Sequence, residues 1–172
     1  MKLSKAHFYK DTEENFQSTY SFFADESIQI SELTDHVIKI SKSKGFEEKQ
    51  THIITKDSDW AFLSSENENL DLFGSKKIIE IKLLGIGPGN KGSKAIKDYC
   101  LSPDQSKLLI VHAERLDKKQ QTSAWAKALE SSGVLIVEPP INKNSMPSWI
   151  KGKSQDLNIN ITEEAIHLLA EK

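Results

Sequence analysis

Leu108-Leu109-Ile110-Val111, within the run Lys107 to His112, is an unbroken string of large aliphatic residues. A strand with one wet face alternates apolar with polar side chains, whereas a strand covered on both faces has no reason to. The string therefore predicts the central strand of a parallel sheet with helices on both sides. Outward from it, short β-type runs alternate with helix-type runs, the pattern of an α/β chain. Thr19 to Ala24 reads as the first strand, and Ser27 to Lys44 as a helix on which Ile30, Leu33, Val37 and Ile40 line one face. Gly45 stops that helix. Thr51 to Thr55 reads as a second strand, Ser58 to Ser65 as a short helix and Lys77 to Leu84 as a third strand. A glycine-rich turn, Gly85 to Gly92, leads into a helix from Ser93 to Leu101. Beyond the central strand come a helix from Ser123 to Ser131, stopped by Gly133, and a last strand from Val134 to Val137.

Glu138-Pro139-Pro140 ends the alternation, because consecutive prolines cannot continue a strand ladder or enter a helix interior. The expected organisation is one α/β domain over residues 1–140 and the beginning of a second, helical domain over 141–172, with helices around Ser148-Trp149-Ile150 and from Thr162 to Lys172. Thr162-Glu163-Glu164 supplies an N-cap and an acidic first turn for the last helix. No C-cap follows it, so Ile166, Leu168 and Leu169 are expected to lack part of their packing, as in a chain truncated within its second domain. Trp125 and Trp149 read as core residues.

With 172 residues, 37% of them hydrophobic and 28% charged, the chain has the composition of a soluble globular protein and is too apolar for a disordered one. A net charge of −2 argues against a broad grip on nucleic acid, which relies on clustered Lys and Arg. Any DNA contact is expected to be local or indirect. A single cysteine, Cys100, excludes an internal disulfide and a cysteine-based zinc site and fits a reducing cytosol. No run approaches the ~18 apolar residues of a membrane span. Met1-Lys2-Leu3-Ser4-Lys5 also lacks the apolar core of a signal peptide, so a cytoplasmic location is expected.

Two places could carry a phosphate-binding loop, and neither has the residues. Gly85-Ile-Gly-Pro-Gly-Asn-Lys-Gly92 lies between a strand and a helix, but a Walker A loop needs Gly before its Lys and Ser or Thr after it. Asn90 and Gly92 stand there instead, and Pro88 removes an amide donor. The junction after the first strand, Ala24-Asp25-Glu26-Ser27, has neither glycine nor lysine, and its carboxylates would repel phosphate at the helix N-terminus. After the central strand, His112-Ala113-Glu114 offers a lone Glu114 where magnesium chemistry would want Asp-Glu. The histidines His7, His36, His52, His112 and His167 are scattered without paired spacing and read as surface or cap residues. Cys100 reads as a partly buried helix-end thiol, and Asp117-Lys118-Lys119 as a solvated loop. No catalytic residue, metal ligand or cofactor is expected. The alternative class is a P-loop-like nucleotide-binding enzyme using Gly85 to Lys91 with Glu114.

Asn69-Leu70-Asp71-Leu72-Phe73 stands out because three large apolar side chains follow a polar run from Ser64 to Asn69. Leu72 and Phe73 are adjacent, so on a helix they diverge by about 100° and on a strand they point to opposite faces. One core cannot easily take both, and an apolar residue left outside can anchor a partner. The string resembles the short motif, roughly Gln-Leu-Ser/Asp-Leu-Phe, by which bacterial replication proteins bind the ring-shaped DNA sliding clamp, with Asn69 in place of Gln. It also fits a helix end on which Leu70 and Phe73 close onto the core while Leu72 is exposed.

In the order of its segments, nearly the whole chain is similar to the delta-subunit family of bacterial DNA polymerase III, the clamp-opening subunits of clamp loaders. The residues that carry the resemblance are Tyr20-Ser-Phe-Phe23 before Asp25-Glu26, Gly45-Phe46 and Leu72-Phe73 just before a strand. They continue with Lys107-Leu-Leu-Ile-Val111, Ser123-Ala-Trp125 with Lys127-Ala-Leu129, and Met146-Pro147-Ser-Trp149. The resemblance implies an AAA+-like, P-loop-NTPase-like fold: a parallel sheet sandwiched by helices, followed by the start of a small helical lid. It implies a replication protein without a working nucleotide site, part of a DNA-directed DNA polymerase holoenzyme whose nucleotidyltransferase chemistry lies elsewhere. Leu72 and Phe73 would be the anchors on the sliding clamp (beta subunit), with Leu70 and Asp71 supporting and Asn69 in the position of the usual Gln. Further partners implied are the other clamp-loader subunits, and DNA indirectly through the assembled complex, with no membrane.

Overall fold

The computed structural model describes residues 1–68, 75–85 and 87–171. In chain order they form α1 (Lys5–Glu14), β1 (Thr19–Ala24), α2 (Ser27–Ser43), β2 (Phe46–Ile54), α3 (Ala61–Glu68), β3 (Lys76–Leu83) and α4 (Gly89–Leu101). These are followed by β4 (Lys107–Glu114), α5 (Lys118–Gln121), α6 (Ala124–Ser132), β5 (Val134–Val137), α7 (Met146–Asp156) and α8 (Glu163–Ala170). The strands pair in the order β2-β3-β4-β1-β5, parallel throughout. Helices cover both faces, as the unbroken apolar string requires.

β4 is central, and its alternate side chains feed two separate cores. Leu108 and Ile110 join Phe8, Tyr20, Phe22, Ile30, Leu33 and Val37 beneath α1 and α2. Leu109 and Val111 join Leu63, Ile79, Ile81, Ile96, Trp125 and Leu129 beneath α3, α4 and α6. All four are fully buried, and at roughly 1.5–3 kcal/mol each this one strand supplies a large apolar contribution to both layers.

Departures from the sequence reading have physical causes. α1 carries little apolar periodicity, burying Phe8 and Thr12 alone, yet the Phe8 ring makes edge contacts with Tyr20 and Phe22. β2 begins five residues before Thr51, at Phe46, because an edge strand tolerates Glu47, Glu48 and Lys49 on its open side. The buried stripe of α2 runs through Ile30, Leu33, Thr34, Val37 and Ser41, leaving Ile40 half-exposed, since 3.6 residues per turn carry the stripe past position 40. α3 starts at Ala61 rather than Ser58, whose hydroxyl instead accepts from the Thr55 amide at 2.8 Å. α4 starts one turn early, inside the glycine-rich stretch. Gly92 is needed there, because a Cβ on it would lie 2.3 Å from the Trp60 ring. Lys118 and Lys119 belong to a short helix whose N-cap Asp117 forms a capping box with Gln120.

The chain divides into two compact units, Met1–Glu138 and Pro139–Lys172. In the second, the Thr162 hydroxyl caps α8 by accepting from the Ala165 amide at 3.2 Å, and Lys153 lies over the Trp149 ring. Ile166 is buried, whereas Leu168 and Leu169 are more than half exposed and Trp149 is half-buried.

The close approach of α6 to β1 gives a test of the first unit. A Cβ on Gly133 would meet the Thr19 carbonyl oxygen at 2.1 Å, which only a backbone shift relieves. Gly133→Ala should lower the unfolding free energy by about 1–3 kcal/mol, read from the urea midpoint.

Candidate functional site

Asn69, Leu70, Asp71, Leu72 and Phe73 lie outside the described residues, so the site is built from the stems on either side. α3 is pinned to the sheet by Trp60 and Leu63, both buried in the core under α3, α4 and α6. Its last turn carries Glu66, whose Oε1 lies 2.6 Å from Lys77 Nζ, while Lys107 Nζ donates to the Glu66 carbonyl and pairs with Asp104 at 3.2 Å. Lys77 and Lys107 are register partners at the starts of β3 and β4. The chain thus leaves α3 and re-enters the sheet at the amino ends of the strands. In doubly wound sheets, ligands such as nucleotides bind at the carboxyl ends.

Around this junction the ionisable groups are held neutral or paired. His52 stacks flat on Phe62 of α3, 3.8 Å between ring centroids, and burial lowers its pKa despite the pull of Glu66. Burial, with Asp104, Cys100 and Glu66 nearby, pushes the Tyr99 phenol well above its usual range. Burial also raises the Cys100 thiol to about 11, which leaves it without thiolate reactivity at neutral pH.

At the carboxyl ends, Asp25 is half-exposed, and Glu26 is the N-cap of α2. Glu114 ends β4 opposite Ala24. The glycine-rich turn reaches α4 through Gly87 and Pro88; with Thr55, Lys56, Ser58 and Trp60 it lines a cavity of about 310 Å³, and Lys91 lies in the exposed first turn. Ile86 is outside the described residues.

A second cleft, of about 330 Å³, separates α2 from β2, β3 and β4, and its floor holds one histidine that the sequence reading places wrongly. His112 is buried, not a surface or cap residue. Its Nε2 lies 2.9 Å from Thr34 Oγ1, which itself donates to the Ile30 carbonyl, so the network assigns the Nε2–H tautomer as donor to Thr34. Beside it, Glu80 Oε2 accepts from Thr51 (2.6 Å) and Lys49 (3.2 Å), and Oε1 lies 3.5 Å from His112 and 3.7 Å from Lys82. Burial takes His112 down to about 4, against the pull of Glu80. Burial also pushes the Glu80 carboxyl upward, but Thr51, His112 and Lys49 outweigh it and hold the pKa below its usual value. The sequence signal for this network is a polar residue set among apolar neighbours in each of two strands, Glu80 between Ile79 and Ile81 and His112 between Val111 and Ala113.

A family model described as DNA polymerase III, delta subunit, matches residues 20–138. The chain is 26% identical over 160 residues to DNA polymerase III subunit delta of Escherichia coli, covering 91% of this chain and 46% of that protein. The corresponding Haemophilus influenzae subunit is 25% identical over 156 residues, covering 87% and 44%. The chain thus spans about half the length of these relatives. Among solved structures, a Bacillus subtilis DNA clamp loader delta protein superposes with a TM-score of 0.64 at 16% identity, covering 95% of this chain and 51% of that one. DnaA from Aquifex aeolicus, bound to AMPPCP, gives 0.55 at 14%, covering 96% and 55%. The fold is AAA+-like.

The cleft network yields a pH dependence. His112 is neutral when folded, so below its unfolded pKa of about 6.5 the unfolded chain takes up the proton first and stability falls until pH reaches about 4. Glu80, held low, adds a loss of the same sign below its own unfolded value. Urea unfolding should show stability declining between pH 6.5 and 4, with His112 contributing a slope of up to ~1.4 kcal/mol per unit. His112→Gln should flatten that decline.

Proposed function

The chain belongs to the DNA polymerase III delta-subunit family, and from that membership we propose that it is the clamp-binding part of a clamp-loader delta subunit acting in DNA replication. The observation that carries the reading is the family match over residues 20–138, which spans the Leu72-Phe73 pair and the strands around it. In this reading Leu72 and Phe73 enter an apolar pocket on one protomer of the sliding clamp. Leu70 and Asp71 support them, and Asn69 takes the polar position at the start of the motif. Burying a Leu and a Phe contributes roughly 3–6 kcal/mol before the costs of association.

A ligand opens a ring only by binding the open form better than the closed one, so surface next to the anchor must fit the open clamp alone. The chain itself performs no chemistry. Asp25 and Glu26 occupy the helix N-terminus where a phosphate would sit, and the Gly85 to Gly92 turn has the wrong residues around Lys91. ATP acts through other clamp-loader subunits, which expose or hide the anchor. DNA is met through the assembled complex, in keeping with a net charge of −2. Residues 141–172 are the beginning of the helical lid.

Calorimetric titration with the sliding clamp tests the anchor. The wild-type chain should bind, and Leu72→Ser/Phe73→Ser should lose measurable binding while circular dichroism shows it still folded. Unfolding of the double variant would instead make the pair core residues. With ATP and magnesium the thermal midpoint should not move, whereas a rise would favour the nucleotide-binding alternative.

A further inference from the structure

We propose that the cavity between the loop after β2 and the start of α4 binds a carboxylate carried by a protein partner, either a chain terminus or an Asp or Glu side chain. The cavity, of about 310 Å³, is walled by Trp60 and Pro88, and Lys56, Asn90 and Lys91 stand exposed at its rim. No carboxylate is among its lining residues. Asp57 is exposed and outside the lining, and Asp59 is turned to α3, where its Oδ1 accepts from the Ala61 amide at 3.1 Å. Neither Lys56 nor Lys91 has an ion pair among the described residues. The Thr55 and Ser58 hydroxyls lie 3.2 Å apart, so one of their two protons bonds between them and the other is free to donate.

Two groups in the cavity wall lack the acceptor they need. α4 has no side-chain cap, because its N-cap is Pro88. The amides of Gly89, Asn90 and Lys91 therefore open the helix with no acceptor among the described residues, at the end where the helix dipole favours negative charge. Trp60 is 5% exposed, yet its indole N–H makes no hydrogen bond among the described residues. That group can only donate, and buried donors are seldom left unpaired. The ring atom bonded to the indole nitrogen, Cε2, is the one that a Cβ on Gly92 would meet first, so this edge of the ring faces the first turn of α4. A carboxylate supplies acceptors to all of these donors at once, and Lys56 and Lys91 add charge. Phosphate loops instead wrap consecutive backbone amides round the anion, and Pro88 has none to give. The volume is also at the lower end of the ~300–1,000 Å³ of small-molecule sites, too little for a nucleotide. Trp60 and Pro88 take the aliphatic carbons beside the carboxylate, and the exposed rim admits a peptide chain. The site lies at the carboxyl ends of β2 and β3, so it is independent of the clamp anchor.

The test is a titration of the 172-residue chain, followed by NMR at the Trp60 indole N–H and the Lys91 amide. N-acetylleucine presents a chain-terminal carboxylate beside an aliphatic side chain, and N-acetylglutamate α-amide presents a side-chain carboxylate. N-acetylleucine amide carries no charge, and inorganic phosphate has no apolar part. At least one carboxylate probe should move both signals saturably, and the tighter of the two identifies the source of the carboxylate. Lys56→Ala/Lys91→Ala should weaken that binding about tenfold with an unchanged circular dichroism spectrum, since both lysines are exposed. Lys56→Arg/Lys91→Arg should keep it. The comparison of probes on the wild-type chain stands whether or not the variants fold. No saturable shift from either carboxylate, an equal response to the uncharged amide, or full affinity in the alanine variant would overturn the proposal. Phosphate binding more tightly than both carboxylates would overturn it in favour of a phosphate ligand such as a nucleic-acid backbone.

Discussion

Parallel strands hold this molecule to one plan. A parallel pair cannot be closed by a tight turn, so each strand needs a crossover, and crossovers lay helices on both faces. The central strand then has no wet side. That is why β4 is aliphatic at four consecutive positions, and why two cores, not one, depend on it. With β1 on one side of β4 and β3 on the other, the crossovers that follow β1 and β3 start in opposite directions, placing α2 on one face and α4 on the other.

Strand polarity also gives the two ends of the sheet different characters. At the carboxyl ends, Asp25, Glu26 and Glu114 gather where related folds receive phosphates, and the buried Glu80–His112 pair lies below in the cleft under α2. At the amino ends, Lys77 and Lys107 stand side by side and reach back to α3. The end of α3 and the start of β3, which flank residues 69–74, thus lie at the end of the sheet remote from that crevice.

Strands that are apolar on both faces are legible in the sequence, and β1, β4 and β5 coincide with or extend their expected runs. Elements whose stability comes from position are not. The first half of β2 is a charged edge, and α1 contributes one fully buried aromatic side chain, Phe8, with Tyr9 partly buried beside it. His112 reads as a surface histidine because burial is compensated by Thr34 and Glu80, which are distant in sequence. The same holds at the candidate site. Leu70 to Phe73 is visible because its residues are consecutive. Glu66, Lys77 and Lys107 look like ordinary solvated charges until the register of β3 and β4 brings the two lysines beside the end of α3.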